Sequence, residues 1–150
     1  MSPPEVWGPP IWTFLHTLVE KIDEKKFLEL GPALVFHIRR IVTYLPCPDC
    51  SRHASRFFSQ LPPDKYSSKK ELKNAVFVLH NLVNKRKNKK LMPISILDDY
   101  KNKNIIYTYE NFIRFYKTRG NMKLLTESFQ RQIVVSGLKK WLLKNIKSFN

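Results

Sequence analysis

The sequence predicts an all-α protein, with a four-helix bundle over residues 1–104 and a helical extension over residues 105–150. Apolar residues recur with helical spacing through the first part of the chain, and no run with the two-residue period of a strand competes with them there. Glycine is rare, at 4 of 150 residues. Short loops between amphipathic segments are typical of an antiparallel bundle.

Proline-containing breaks begin the first two predicted helices. Pro9 and Pro10 precede the first helix, where a proline loses no intrahelical hydrogen bond. The apolar face of that helix comprises Ile11, Leu15, Leu18 and Ile22. Gly31 and Pro32 open the second helix, and Pro46 ends it. The apolar face of the second helix comprises Leu34, Ile38, Ile41 and Leu45.

The third and fourth predicted helices also have recognisable ends. The third begins around Cys47 and stops before the two prolines at positions 62 and 63. Its predicted apolar face comprises Cys50, Ala54, Phe57 and Leu61. Ser68 and Glu71 have the spacing of a capping box, which predicts the start of the fourth helix. Its apolar face comprises Leu72, Val76, Leu79 and Val83.

The last third of the chain is less regular. Residues 105–116 are rich in β-branched and aromatic side chains and are compatible with a strand or a helix. Gly120 breaks this segment. Residues 122–147 predict one long amphipathic helix, and a break at Gly137 is left open. We expect the extension to pack on the bundle.

Composition and charge exclude several classes of protein. Two cysteines cannot build the disulfide framework of a small secreted scaffold, and 43% hydrophobic residues are too many for a disordered polycation. No apolar run reaches the roughly 18 residues that a membrane span requires. We expect no signal peptide, because no basic region with an apolar stretch opens the chain. The net charge of +15 indicates phosphate groups, an acidic partner or nucleic acid as binding partners.

The two cysteines form a Cys-x-x-Cys pair at a predicted helix start. Free N–H groups and the helix dipole at this end stabilise a thiolate, and two cysteines one turn apart can close a small disulfide. Cys50 lies on the predicted apolar face, whereas Cys47 lies one turn earlier at the helix entrance. We therefore expect Cys47 to be reachable from solvent and to exchange with a substrate, and Cys50 to face something buried.

Two other interpretations of the cysteine pair remain open from the residues alone. The cysteines could be inert in a reducing compartment. They could instead bind a metal together with His53, with His80 or His37 as a fourth ligand. The chain lacks the second pair of ligands that structural zinc sites normally show.

A polar and aromatic stripe runs beside the apolar face on two of the helices. On the first helix it comprises Trp12, His16 and Val19, and on the fourth it comprises His80, Asn84 and Lys87 with Asn81 adjacent. A single such side chain has an ordinary structural explanation. Several together on one helix offer donors and acceptors that a bundle core does not need, and burying each unpaired costs about 1–3 kcal/mol. The pattern predicts a polar, aromatic ligand inside the bundle.

Three segments resemble the signatures of the Erv/ALR family of FAD-linked sulfhydryl oxidases. They are residues 7–16 (WGPPIWTFLH), residues 45–50 (LPCPDC) and residues 80–85 (HNLVNK). The run from residue 45 to residue 54 is especially similar to members that large DNA viruses encode. The resemblance covers about residues 5 to 100, and three ordered motifs with matching spacing make it specific.

The resemblance implies a four-helix bundle with a short fifth helix near Ile96–Lys101 and FAD at one mouth of the bundle. It implies that Cys50 lies against the isoalloxazine ring and that Cys47 exchanges with the substrate. The cofactor-binding residues carried over from the family are Gly8, Trp12, His16, His80, Asn81, Val83 and Asn84, with Lys87 and Lys90 near the phosphates and Tyr100 as a candidate for closing the site. No metal is implied.

The same resemblance implies an oxidase that forms disulfide bonds in partner proteins and passes electrons to oxygen, giving hydrogen peroxide. The chain has Phe77 where many members have a cysteine, and it has no second cysteine pair in a tail. Another protein, either a dithiol substrate or a thioredoxin-like relay, must therefore deliver electrons to Cys47. A homodimer and a location in the cytoplasm of a virus-infected host cell, and in the virion, are further expectations from the family.

The basic residues at the end of the fourth helix support an alternative function. Residues 85–90 hold five cations in the sequence KRKNKK, and four lysines of the final helix, Lys139, Lys140, Lys144 and Lys147, add a second cluster. The alternative is a basic, helical, nucleic-acid-binding protein with a structural or metal-binding cysteine pair. The sequence has no nucleic-acid-binding motif, and its aromatic residues lie mainly on predicted core faces.

Overall fold

The computed structural model describes residues 4–117 and 125–150, and these residues contain helices and no β-strand. The α-helices are α1 (Pro4–Lys21), α2 (Phe27–Thr43), α3 (Pro48–Gln60), α4 (Lys69–Arg86), α5 (Ile105–Tyr116) and α6 (Leu125–Lys144). Short 3₁₀ helices span Glu24–Lys26, Pro63–Tyr66, Ile94–Asn102 and Ile146–Ser148. The predicted all-α fold is confirmed.

The first two helices bury the faces that their sequences predict. All four residues of the first predicted apolar face are at most 1% exposed, and those of the second are at most 7% exposed, although Ile22 and Leu45 lie just after the ends of α1 and α2. Helix α1 packs against α4 and α5, and α2 packs against α3 and α6. Helix α4 begins at the predicted cap, because the Ser68 hydroxyl accepts a hydrogen bond from the Glu71 backbone N–H at 3.2 Å.

Both proline-containing breaks lie inside helices, contrary to the prediction. Helix α1 begins at Pro4 and continues through Pro9 and Pro10, and Trp7 in its first turns is 3% exposed. The helical turns before Pro9 bury the Trp7 indole. The free energy gained by this burial offsets the cost of placing two prolines inside the helix. Helix α2 begins at Phe27, whose ring packs over Gly31. A Cβ atom at Gly31 would lie 2.8 Å from that ring, so the glycine allows close packing and does not mark a helix start.

Helix α3 is rotated relative to its predicted apolar face. The residues it buries are Ser51, Ala54 and Phe58, whereas Cys50, Phe57 and Leu61 are only partly buried. The Ser51 hydroxyl explains part of this rotation, because it accepts a hydrogen bond from the Leu45 backbone N–H at 2.8 Å inside the bundle. The rotation places Cys50 at the edge of the core.

The C-terminal helices share the core of the bundle. Residues 105–116 form helix α5, and its Phe112 is fully buried and stacks on Phe14 of α1 at 4.6 Å between ring centroids. Helix α6 continues through Gly137 without a break. Gly120 and the predicted helix start at residue 122 lie outside the described residues. The division at residue 104 stays a prediction.

The final residues of the chain return to the end of α1. The Asp23 backbone N–H donates to the Ser148 carbonyl at 2.7 Å, and Ile22 forms an isolated β-bridge with Phe149. The short fifth helix that the resemblance implies is the 3₁₀ helix Ile94–Asn102, which lies against α1 and buries Tyr100. None of the helices in residues 4–117 and 125–150 combines the length and the apolar character needed to cross a membrane.

Candidate active site

A cleft of about 260 Å³ opens between α1 and α4, next to the cysteine pair. The residues that line this α1–α4 cleft are Trp7, Gly8, Pro9, Trp12, Thr13, Leu45, Cys50, His80, Val83, Asn84, Lys87, Lys89 and Tyr100. They come from the first half of α1, the loop before α3, the first turn of α3, the second half of α4 with the residues after it, and the 3₁₀ helix Ile94–Asn102. One cysteine, an aromatic wall and two cations therefore meet at one opening.

Cys47 caps the N-terminus of α3 through its sulfur atom. Its backbone is extended, with φ −140° and ψ 108°, and Pro48 occupies the first helical position. The Cys47 sulfur accepts a hydrogen bond from the Cys50 backbone N–H at 3.3 Å and lies 2.6 Å from the Cys50 sulfur. A thiolate at Cys47 would face the positive end of the helix dipole, and the two sulfurs lie within reach of a disulfide bond.

The two cysteines differ in position more than in exposure. Both are half-buried, so the predicted contrast between an exposed Cys47 and a buried Cys50 is not seen. Cys50 lines the α1–α4 cleft, and Cys47 does not. Burial raises the pKa of the Cys50 thiol, and the hydrogen bond with Cys47 raises it further. In the reduced pair, negative charge on Cys50 is therefore disfavoured.

Asp49 connects the cysteine turn to the end of α4. Its carboxylate accepts hydrogen bonds from Arg52 at 2.5 Å and from Arg86 at 3.3 Å, and His53 lies 3.5 Å from it. The hydrogen bond from Arg52 lowers the pKa of Asp49. This carboxylate is exposed, so the ion pairs orient the residues more than they stabilise the fold.

Aromatic rings from α1, α4 and the 3₁₀ helix Ile94–Asn102 form one connected cluster beside the cleft. Trp12 lies parallel to His80, with 4.2 Å between ring centroids and 6° between the planes. His16 Nε2 is 2.9 Å from His80 Nδ1, and Tyr100 stacks on His16 at 4.6 Å. The structure therefore brings together four residues that the sequence assigned to the site. His16 itself is buried behind the cleft lining.

The polar residues of α4 divide into two groups. Asn84 and Lys87 line the cleft as predicted, and so does Val83. Asn81 does not line the cleft. Its side-chain oxygen accepts from the Met92 backbone N–H and its nitrogen donates to the Met92 carbonyl, both at 2.9 Å. Asn81 therefore holds the loop after α4, and the amide periodicity alone could not distinguish this role from a ligand contact.

The lysines of the basic run differ in their position relative to the cleft, and several apolar residues line it as well. Lys90 is exposed and does not line the cleft, whereas Lys89 does. Asn88 has φ 55°, and the Lys89 N–H bonds back to the Asn84 carbonyl at 2.8 Å, so the chain turns sharply at that point. Trp7 and Leu45 also line the cleft; neither is among the predicted site residues, although both lie in the quoted motifs.

The metal interpretation of the cysteine pair finds no support. Within residues 4–117 and 125–150, no group of three or more His, Cys, Asp or Glu side chains is arranged to hold a metal ion. His53 pairs with Asp49, His80 pairs with His16, and His37 packs on Trp141 with 5.0 Å between the rings. The proposed ligands therefore have other partners.

The buried histidines predict that stability falls in mild acid. Burial lowers the pKa of His16 to about 3 and the pKa of both His80 and His37 to about 4, against 6.5 in the unfolded chain. The unfolded state therefore binds more protons between pH 6.5 and pH 4, so stability is complete above pH 6.5 and decreases as the pH falls through this window. From pH 6.5 to pH 5 we expect a loss of about 1.5 kcal/mol per histidine at most.

Urea denaturation at pH 7.5, 6.5, 5.5 and 5.0 measures this loss directly. His37→Gln is the matched variant, since it removes one of the three groups and leaves the α1–α4 cleft intact. Its free energy of unfolding should vary less steeply with pH than that of the wild type. An unfolding free energy that stays constant from pH 7.5 to pH 5.0 would contradict the prediction.

Comparison with known proteins identifies related chains. Residues 9–105 match the model of the Erv1/Alr family, and this range includes both cysteines. An FAD-linked sulfhydryl oxidase of African swine fever virus is 33% identical over 97 residues, which cover 64% of this chain and 77% of the viral protein. Protein 347L of Invertebrate iridescent virus 6 is 30% identical over 99 residues, which cover 62% of this chain and 89% of that protein.

A third relative is matched over a smaller share of its length. Protein 096R of Invertebrate iridescent virus 3 is 31% identical over 87 residues, which cover 57% of this chain and 59% of that protein. No solved structure matches the chain significantly. The match to the family model stops at the first residue of α5, so most of the C-terminal extension lies outside it.

Proposed function

The chain belongs to the Erv1/Alr family, and on that premise we propose that it is an FAD-dependent sulfhydryl oxidase that forms disulfide bonds in partner proteins. One observation carries the proposal. The cysteine pair caps a helix next to the α1–α4 cleft, and one of its sulfurs belongs to the lining of that cleft. The family and the African swine fever virus relative favour this function over the nucleic-acid-binding alternative.

The residues of the α1–α4 cleft fit FAD. Gly8 is buried in α1, yet a Cβ atom there would have no neighbour within 4 Å, so open space lies directly beside the backbone. Trp12 and His80 provide a flat aromatic wall, and Lys87 and Lys89 supply positive charge for a pyrophosphate. When bound, FAD supplies the two-electron acceptor that the cysteine pair needs in order to be reoxidised.

The cysteine pair itself performs the exchange with the partner. A thiolate of the partner attacks the Cys47 sulfur, the Cys47–Cys50 bond breaks, and Cys50 leaves with the electron pair. A second thiolate of the partner then attacks the mixed disulfide and releases Cys47. The partner gains one disulfide, and the Cys47–Cys50 pair gains two electrons. The N–H group of Cys50, which faces the Cys47 sulfur, is placed to stabilise the charge that Cys47 then carries.

The proposed partners rest on the proposed activity, and the proposed location rests on the viral origin of the relatives. The electron donor is a dithiol protein or a thioredoxin-like relay, because the sequence has no cysteines beyond the pair. Oxygen is the proposed final acceptor and is reduced to hydrogen peroxide. We also propose that the protein works as a homodimer in the cytoplasm of a virus-infected cell, and that it enters the virion.

Gly8→Ala tests the cofactor assignment without removing any contact. An added methyl group would enter the open space beside the backbone, so we expect FAD affinity to fall about tenfold or more. The folded protein without FAD should gain about 0.5–1 kcal/mol, because alanine is favoured over glycine inside a helix. FAD titration followed by flavin fluorescence gives the affinity, and urea denaturation gives the stability.

Gly137→Ala is the matched control on α6, where an added Cβ atom would meet only ordinary contacts, the nearest being Arg40 at 3.6 Å. It should gain similar stability and leave FAD affinity unchanged. Wild-type FAD affinity in Gly8→Ala would argue against cofactor binding along this part of α1.

A further inference from the structure

His16 and His80 form a hydrogen-bonded pair that can carry its protons in two ways. His16 Nε2 lies 2.9 Å from His80 Nδ1, so one of these two atoms donates to the other. Burial holds the pKa of both rings well below 6.5, so each ring carries a single proton near neutral pH. The two arrangements differ in which nitrogen of each ring holds that proton.

The surroundings of His16 distinguish the two arrangements. His16 is 1% exposed, and its Nδ1 is buried without a hydrogen-bond partner. If His80 donated, the proton of His16 would have to be on this Nδ1, which would leave a buried donor unpaired. If His16 Nε2 donates, Nδ1 of His16 carries no proton and is an unpaired acceptor, so no buried N–H group lacks a partner. Buried N–H groups are satisfied more strictly than acceptors, so the second arrangement is favoured.

Because Nδ1 of His80 accepts the hydrogen bond from His16, the single proton of His80 is on Nε2. His80 lines the α1–α4 cleft, and Nε2 is the ring nitrogen that His16 does not occupy. Trp12 stacks on the His80 ring and Tyr100 stacks on the His16 ring, so both rings are held in plane. The donor is therefore fixed in place before any ligand arrives.

We propose that His16 is a positioning residue that holds His80 as its Nε2–H tautomer, so that His80 presents a hydrogen-bond donor to the group bound in the α1–α4 cleft. The identity of that group as FAD rests on the proposed function, whereas the tautomer does not. FAD carries carbonyl and ring-nitrogen acceptors, and a fixed donor at His80 would supply a hydrogen bond to one of them when the cofactor is bound.

Nitrogen-15 NMR of the imidazole groups in the FAD-free protein at pH 7.5 tests the tautomer. We expect His80 to show a protonated Nε2 and a bare Nδ1, and His16 to show the same pattern. His16→Phe should leave His80 as a mixture of tautomers and weaken FAD binding about tenfold, the effect of one lost hydrogen bond. His16→Gln, whose amide can donate to Nδ1, should restore the Nε2–H tautomer.

His37→Gln serves as the control, because it replaces a buried histidine that packs on Trp141 and should leave the His80 spectrum unchanged. Wild-type His80 protonated at Nδ1, or present as a mixture, would overturn the proposal. So would unchanged His80 signals in His16→Phe. If that variant does not fold, the wild-type and His16→Gln spectra decide. An Nε2–H tautomer without any FAD binding would instead count against the proposed function.

Discussion

Replacing Cys47 or Cys50 with serine is expected to lower thiol-oxidase turnover at least about 1,000-fold, because each sulfur forms a bond that the exchange requires. Serine is nearly isosteric with cysteine and Cys50 is one of many residues that line the α1–α4 cleft, so bound FAD should be retained. Loss of free thiols from dithiothreitol measures turnover, and the visible absorption of the purified variants measures the flavin. Ser59→Ala, on the exposed side of α3, is the control and should keep wild-type turnover.

The two serine variants should also differ from each other. Cys50→Ser keeps Cys47, whose sulfur faces the helix N-terminus, and should form a mixed disulfide with glutathione disulfide readily. Cys47→Ser keeps only Cys50, whose pKa is raised by burial, and should react more slowly. Mass spectrometry of the glutathione adduct compares the two rates. Faster reaction of Cys50 would reverse the assigned roles, and wild-type turnover in either variant would refute the mechanism.

Phe112→Ala is expected to cost about 3–5 kcal/mol of stability, a large fraction of the total for a domain of this size. Phe112 is fully buried, and its ring stacks on Phe14 at 4.6 Å and on Tyr116 at 4.8 Å. Removing the ring leaves a cavity between α5 and α1. Because α1 also carries the aromatic wall of the cleft, we expect FAD affinity to fall together with stability.

Tyr107→Ala is the matched control, since Tyr107 lies on the same helix and is 67% exposed. Its free energy of unfolding should stay within about 0.5 kcal/mol of the wild type. Urea denaturation of both variants measures the difference. A cost below about 1 kcal/mol for Phe112→Ala would mean that residues 105–150 are separable from the bundle.

Most of the helical framework could be predicted from the sequence, because the relevant forces are local or periodic. The buried faces of α1 and α2 follow from apolar spacing alone, and the start of α4 follows from one side-chain cap at Ser68. The cysteine pair at a helix start was also predictable, since Pro48 and the spacing of the cysteines both favour a first turn there. The composition of residues 105–116 is compatible with a strand or a helix, so local propensity alone did not decide between them. The predicted helical extension is confirmed over this segment, which packs against α1.

The sequence predicted which residues lie at the site better than it predicted the contacts between them. Spacing grouped Trp12 with His16 and His80 with Asn84, but it could not show that the two histidines meet at 2.9 Å. Asn81 has the same polar character as Asn84, yet it binds the Met92 backbone. Such contacts depend on how α1 packs against α4 and on how the loop after α4 folds back against that helix.

The sequence by itself determined the helices, the redox-capable cysteine pair and the family, because each depends on residues close together in the chain or on ordered motifs. Tertiary structure alone decided how α3 is rotated, which cysteine lines the cleft and which lysine turns toward it. The physical reason is that a helix with several partly apolar faces has several acceptable orientations. Here the buried Ser51 hydrogen bond and the packing of Phe58 select one, and that orientation places Cys50 at the cleft.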